Sequence, residues 1–268
     1  MFVNHELVLR ENAWLLLPFV RNFFLFQNQC GYEIAPFTKQ ISLSIIIVNT
    51  TPGELQMKEA IILAGGEGWR LKPATWVPKP LLKINKQTLI DHQISWLQSH
   101  GFENIVIASN RIDLTKQPVT YSIEKDTLGT GGAAKKAFKQ IQGNIAYVMN
   151  LDDIVFYDPN ELFDYAGKGA GVLLAKPTLP FGRVTLQNGI NIVRFQQRST
   201  LDFYVSAGHH VFKKAVVEKF FPDKGDFEFT AMQRLADKKM LQGYTYHGMW
   251  FTLNTMKDLL QIRTFFKS

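Results

Sequence analysis

The chain is nearly without cysteine: one residue, Cys30, in 268. A disulfide scaffold is therefore excluded. Long apolar runs are scarce in its first 56 residues. The longest there, Ala13–Val20, spans eight residues and contains Pro18, far short of the ~20 a membrane-spanning helix needs. No span is expected. A secretory leader also fits badly, because residues 1–12 mix His5, Glu6, Arg10 and Glu11 and no clean small-residue cleavage site follows. Internal repeats and low-complexity segments are missing, which excludes solenoids and biased linkers. What is present is an ordinary globular balance of 46% hydrophobic and 20% charged residues, which excludes disorder as the main state.

Acidic residues are outnumbered, 23 against 30 basic, for a net charge of +7. Such an excess suits anionic ligands and does not choose among nucleotides, nucleic acid and membrane surfaces. The basic residues are scattered, as in Lys135-Lys136, Lys213-Lys214 and Lys238-Lys239. They read as a solvated surface, so no nucleic-acid partner is expected. His209-His210 and His247 lack metal-ligand spacing and read as core or surface residues.

Residues 1–56 differ from the rest. They hold three basic and four acidic residues, leaving +8 for the remainder, and they carry eight aromatics and the cysteine. This preface reads either as a native extension, an anchor or a partner-binding segment, or as sequence upstream of the true start. The second reading is the expectation. Gly53-Glu54 implies a purine-rich codon pair a short distance before Met57, resembling a ribosome-binding site, and a strand begins at once after Met57. The expected domains are residues 1–56 and 57–268, and the mass of the endogenous protein tests the boundary.

From Met57 the pattern alternates between strand and helix. Ala60–Leu63, Asn104–Ala108, Val119–Ile123, Ile145–Leu151 and Gly171–Ala175 read as strands, and 88–99, 129–141, 215–221, 229–240 and a stretch opening at Thr255 read as helices. Asn188-Gly189 between two β-rich runs signals a hairpin. A strand over 203–212 is interrupted near Gly208. The fold class is α/β: a Rossmann-like, mostly parallel sheet with helices on both faces, and a small antiparallel insertion at 180–212.

Three clusters carry chemistry. Leu63-Ala64-Gly65-Gly66-Glu67-Gly68-Trp69-Arg70-Leu71 follows a strand. Its glycines let backbone N–H groups converge on phosphate, and Arg70 adds a planar donor fork. Pro78-Lys79-Pro80-Leu81 stiffens the chain around one ammonium. The dinucleotide fingerprint fails because Leu71 stands at its third glycine, and no Walker Gly-Lys-Ser/Thr is present. Next, Glu124 through Ala133 is a loop opening a glycine-started helix, with free N–H donors and room for a base or ribose. Last, Asn150-Leu151-Asp152-Asp153 sets acids at a strand's carboxyl end, where open α/β sheets bind ligands and a carboxylate can hold Mg²⁺ against phosphates.

In this order the clusters resemble the sugar-phosphate nucleotidyltransferase family, whose pattern runs L-A-G-G-x-G-T-R-L, P-K-P-L, L-G-T-x-G-A and N-G-D. Phe181-Gly182, Ala207-Gly208 and Trp250 through Thr255 add matches, and the resemblance covers about residues 57–268. The run from Tyr121 to Ala133 is most similar to small heptose-1-phosphate and hexose-1-phosphate guanylyltransferases. The resemblance implies a cytoplasmic, Mg²⁺-dependent enzyme whose partners are an NTP and a sugar 1-phosphate. A nucleoside monophosphate passes to the sugar phosphate, giving an NDP-sugar, for polysaccharide biosynthesis, and pyrophosphate. It implies roles for Arg70 on the departing pyrophosphate and for Lys79 between the reacting phosphates. Leu63, Ala64, Gly65, Gly66 and Gly68 would cradle the nucleotide, with Glu124, Gly129, Thr130 and Gly131 near base and ribose. Gly182, Gln197, Arg198 and Gly208 would line the sugar side, and Asp152 would hold Mg²⁺.

Departures stand beside the matches. The family's W-x-D-I/V-G-T reads Trp250-Phe251-Thr252-Leu253-Asn254-Thr255, so its second metal aspartate is Thr252. F-x-E-K-P reads Phe195-Gln196-Gln197-Arg198-Ser199, Trp69 replaces threonine, and Leu151 replaces glycine. Asp153 is a candidate second metal carboxylate only if the backbone turns there, because neighbouring strand residues face opposite ways. Only eight residues separate Asn110 from Val119, which shortens or deletes a usual helix. Two other readings follow: a non-catalytic nucleotide-binding homologue, and a transferase acting on a non-sugar phosphate such as phosphocholine.

Overall fold

The structure is a computed structural model and describes residues 57–267; the expectations about residues 1–56 lie outside the described residues. In chain order the elements are β1 (Lys58–Leu63), β2 (Lys83–Ile84), β3 (Gln87–Thr88), α1 (Leu89–Ser99), β4 (Phe102–Ser109), β5 (Thr120–Ile123), α2 (Gly129–Ala137), β6 (Ile145–Asn150), β7 (Asp153–Val155) and β8 (Ala170–Ala175). There follow β9 (Arg183–Gln187), β10 (Asn191–Gln196), β11 (Val205–Lys213), α3 (Lys214–Phe220), α4 (Ala231–Asp237), β12 (Leu241–Thr245), β13 (Trp250–Thr252) and α5 (Met256–Phe265).

Seven strands form one sheet in the order β12-β8-β11-β6-β1-β4-β5. Its neighbours pair in parallel except around β11, which runs antiparallel to both β6 and β8. Both faces are covered, so β1 is a continuous apolar run and not an alternating one. Its side chains still divide by parity. Ile62 packs with Leu89, Ile94 and Leu97 of α1, while Ile61 packs with Ala133 and Ala137 of α2 and Val217 of α3. Ile61 and Ile62 are wholly buried, each a contribution of about 2 kcal/mol or more.

Helix starts follow their caps. Thr88 caps α1 by accepting from the Asp91 N–H, and Thr255 forms a reciprocal capping box with Asp258 at α5. Between Asn110 and Val119 no helix occurs among the described residues. The Asn188-Gly189 turn has positive φ at both residues, 53° and 76°, and joins β9 to β10 as a separate two-stranded sheet.

Three expectations change. The strand read at 203–212 is not part of the antiparallel insertion; it is β11, a reversed strand inside the main sheet, with its irregularity between Ser206 and His210. The helix read at 229–240 contracts to α4, because residues 225–230 are drawn toward the start of α2. Finally, β12 and the short pair β7–β13 have no clear two-residue alternation and were not foreseen. No helix among the described residues is long and apolar enough to cross a membrane.

Candidate active site

The chain leaves β1 for β4 and β5 on one side, then returns to β6 on the other. That reversal places the switch point between the carboxyl ends of β1 and β6, where open α/β sheets bind ligands. A cleft of ≈ 340 Å³ opens there. Leu63, Ala64, Gly65 and Gly66 form one wall, Asn150, Leu151 and Asp152 another, and Lys79 with Pro80 a third. Glu124, Thr127, Gly129, Thr130 and Asp226 close the far side. The three sequence clusters thus meet in one cavity.

The two walls are locked in register. Leu63 pairs with Asn150, and the Leu151 N–H donates to the Leu63 carbonyl at 3.2 Å. Gln93 of α1, itself buried, donates from Nε2 to the carbonyls of Leu151 (3.0 Å) and Asp153 (2.8 Å). The backbone on either side of Asp152 is therefore fixed by one amide.

Lys79 opens a short 3₁₀ turn, held between Pro78 and Pro80. Its ammonium donates to Asp152 Oδ2 at 2.5 Å, and both side chains are mostly shielded. The most phosphate-suited cation and the most metal-suited carboxylate of the cleft neutralise each other. Gly68 turns the glycine loop with φ 64°, a left-handed conformation that costs glycine little. Beyond the turn Arg70 is exposed, and its Nη1 donates to Asn254 Oδ1 at 2.8 Å; neither Gly68 nor Arg70 is among the residues lining the cleft. Trp69 is 70% exposed, with the Lys72 ammonium 3.9 Å over its ring.

Asp153 follows directly and is buried. It sits opposite Thr252 in the β7–β13 pair, and its carboxylate accepts from Trp250 Nε1 at 2.9 Å and Asn150 Nδ2 at 3.3 Å. Burial, and the Asp152 charge beside it, push its carboxyl up to about 7 against those hydrogen bonds. Gly208, with φ 77°, lies directly on this carboxylate, and a Cβ there would collide with it. Gly208 is therefore required by Asp153 in this structure, and it does not line the cleft.

Glu124 lies beside Gly65 and accepts from the Leu128 N–H at 3.2 Å. Burial raises its pKa, with Leu128 and Lys136 opposing. At the start of α2 the expected free donors are engaged. Thr130 N–H donates to Asp226 Oδ1 at 2.9 Å, and the N–H groups of Gly131 and Gly132 both donate to the Gly225 carbonyl. Gly131 packs against Pro222, Gly225 and Phe227 and stays outside the cleft, whereas Gly129 and Thr130 line it.

The Nucleotidyl transferase family model matches residues 59–268. The chain belongs to this family. It is 29% identical over 227 residues to mannose-1-phosphate guanyltransferase 2 of Candida glabrata, covering 75% of this chain and 63% of that protein. It is 27% identical over 226 residues to the mannose-1-phosphate guanyltransferase of Saccharomyces cerevisiae, with coverage of 75% and 63%. The chain therefore spans a little under two thirds of the length of these relatives. Among solved structures it superposes on HddC from Yersinia pseudotuberculosis with a TM-score of 0.61 and 20% identity, covering 78% of this chain and all of that one. A second HddC structure, complexed with GMP-PN, gives 0.58 and 19%, with the same coverage.

The sugar-side candidates stand apart from the cleft lining. Gln197 and Arg198 are exposed at the end of the β9–β10 hairpin, and Gly182 abuts the Phe195 ring. Asn254, Gln93 and Asp226 were not picked out from sequence. Gln93 carried a weak signal, a polar residue on the buried side of an amphipathic helix. Asp226 carried none, because its partner Thr130 lies 96 residues away.

For a cation, Asp152 is a fitting ligand: an oxygen donor at the cleft wall beside the glycine loop. Among the described residues no three His, Cys, Asp or Glu side chains gather to hold a metal. Phosphate oxygens and water would complete such a shell, as Mg²⁺ commonly has it. Asp153 has its carboxylate engaged elsewhere.

Proposed function

We propose that this chain transfers a nucleoside monophosphate from an NTP to a sugar 1-phosphate, giving an NDP-sugar and pyrophosphate. The observation that carries the reading is the Lys79–Asp152 pair set against the glycine loop at the β1/β6 switch point. In the reaction a phosphate oxygen of the sugar 1-phosphate forms a bond to the α-phosphorus of the NTP, and the bond from that phosphorus to the β-phosphate bridging oxygen breaks. Two anions must be brought together, so positioning and charge neutralisation dominate the catalysis. Mg²⁺ held by Asp152 would neutralise phosphate charge. Lys79, released from Asp152, turns its ammonium to the phosphate oxygens between the two reactants. Arg70, at the end of the glycine loop, takes the charge that accumulates on pyrophosphate. Glu124 faces the base side. A carboxylate there can accept from the two adjacent N–H donors of guanine, which with the guanyltransferase relatives favours GTP. The setting is cytoplasmic, where NTPs are made.

One observation favours a second reading. Thr252, at the position of the family's second metal aspartate, offers only a neutral hydroxyl, and it accepts a hydrogen bond from Asn254 Nδ2. A chain that binds nucleotide and does not turn over would fit that loss. A pyrophosphate-release screen of the four common NTPs against sugar 1-phosphates and alcohol phosphates, phosphocholine included, separates the readings. Turnover with GTP and a hexose or heptose 1-phosphate is the expected result. NTP binding without turnover on any pair would sink the catalytic reading, and turnover confined to phosphocholine would move the acceptor outside the sugars.

A further inference from the structure

Arg70 sits on an exposed loop, and a free arginine there samples many rotamers. It is not free. Its Nη1 donates to Asn254 Oδ1 at 2.8 Å; a guanidinium only donates, so the amide oxygen is the end that faces it. Asn254 Nδ2 in turn donates to Thr252 Oγ1 at 3.0 Å. Thr252 stands opposite Asp153 across the β7–β13 pair, and Trp250 Nε1 and Asn150 Nδ2 hold the Asp153 carboxylate. The two bonds of the series point the same way, from the guanidinium to the threonine, and such aligned bonds polarise one another.

We propose that Asn254 is a positioning residue for Arg70, and that the Asn254–Thr252 pair presents the guanidinium to the pyrophosphate half of the nucleotide. The proposal rests on the nucleotidyltransferase reading above. The chemistry of the acceptor matters. Asn254 takes the place of a glycine in the family pattern, and glycine has no side chain to hold the arginine. A carboxylate at 254 would form an ion pair and compete with phosphate for the cation. A neutral amide orients Arg70 and leaves its charge undiminished. Only the side chain of Asn254 takes part. Its backbone N–H donates separately to Asp258 Oδ2 at 3.1 Å, so side-chain substitutions leave that anchor of α5 in place.

The test is calorimetric titration of the full chain with inorganic pyrophosphate in Mg²⁺, which reads the subsite without requiring turnover. Wild type is compared with Arg70→Ala, Asn254→Ala, Asn254→Asp, Thr252→Val and the Arg70→Ala/Asn254→Ala pair, with melting temperatures taken alongside. Asn254→Ala is expected to weaken binding about fivefold, and Thr252→Val by a smaller factor, without a change in melting temperature. The double variant should bind within about twofold of Arg70→Ala alone, because residues acting through one another do not add. Asn254→Asp should also weaken binding, and its deficit should shrink at high salt as the new ion pair is screened. If Arg70→Ala weakens binding and Asn254→Ala does not, or if the two losses simply add, the positioning role is overturned while the function stands. If wild type binds neither Mg²⁺-pyrophosphate nor Mg²⁺-GTP, both readings fall together.

Discussion

At the scale of single residues the cleft is governed by Lys79 and Asp152, which hold each other at 2.5 Å. Each is a place-holder for the other's working partner. Lys79→Ala and Asp152→Asn are each expected to lower kcat by about a hundredfold or more, the size of loss seen when one charge-stabilising group leaves a phosphoryl site. Single-turnover measurement with GTP checks this, and near-normal turnover in either variant would remove that residue from the chemistry. Asp153 behaves differently although it is next in sequence. With its carboxylate held by Trp250 and Asn150, Asp153→Asn should leave the Mg²⁺ concentration for half-maximal turnover within about twofold of wild type, since a metal ligand would shift it far more. A large rise in the Mg²⁺ requirement would restore Asp153 as a ligand. The same variant has a pH signature. The folded carboxyl is pushed up to about 7, above its unfolded value, so the stability it contributes is lost as pH rises toward and through 7. The melting temperature of Asp153→Asn relative to wild type should therefore climb between pH 4 and pH 8.

At the scale of elements, α1 does more than cover the sheet. Gln93 ties it to the backbone on both sides of Asp152. Gln93→Leu should cost about 1–3 kcal/mol in urea unfolding, because two buried carbonyls lose their donor. Much of this architecture was legible. The parallel strands β1, β4, β5, β6 and β8 announced themselves as short apolar or β-branched runs, Thr255 marked a helix start and Asn188-Gly189 a turn. The glycine loop, Lys79 and Asp152 were legible as a site because each motif is local. What stayed hidden depended on contacts between distant segments. The reversal of β11 follows from its position between β6 and β8, which no run of side chains encodes. The occupied N–H groups of α2 follow from Asp226 and Gly225, nearly a hundred residues away. Asn254 was not picked out either; only its contact with Arg70 gives it a role.

At the scale of the whole molecule, two neutral histidines lie in the middle of the sheet. His209, hydrogen-bonded to Tyr147 at 2.7 Å, is depressed to about 4 by burial, and His210 to about 3 by burial and by His209. Both folded values lie below the unfolded one of about 6.5. Stability is therefore present above pH 6.5 and is lost as pH falls toward 4 and then 3, by roughly 1 kcal/mol per pH unit for each histidine. Urea midpoints at pH 7, 6 and 5 should fall in that order, and a flat profile would contradict the buried neutral pair. The polar series that holds Arg70 has a further bearing, on order in time. Its members enter the chain at positions 70, 252 and 254, so the first is made long before the last. On a ribosome, β1, β4, β5 and β6 can find one another once residue 150 has emerged, and the glycine loop is then in place. Arg70 gains its acceptor only when Asn254 emerges, a hundred residues later. A nascent chain that has emerged only as far as residue 245 would hold the seven strands of the main sheet and an arginine still searching for its partner.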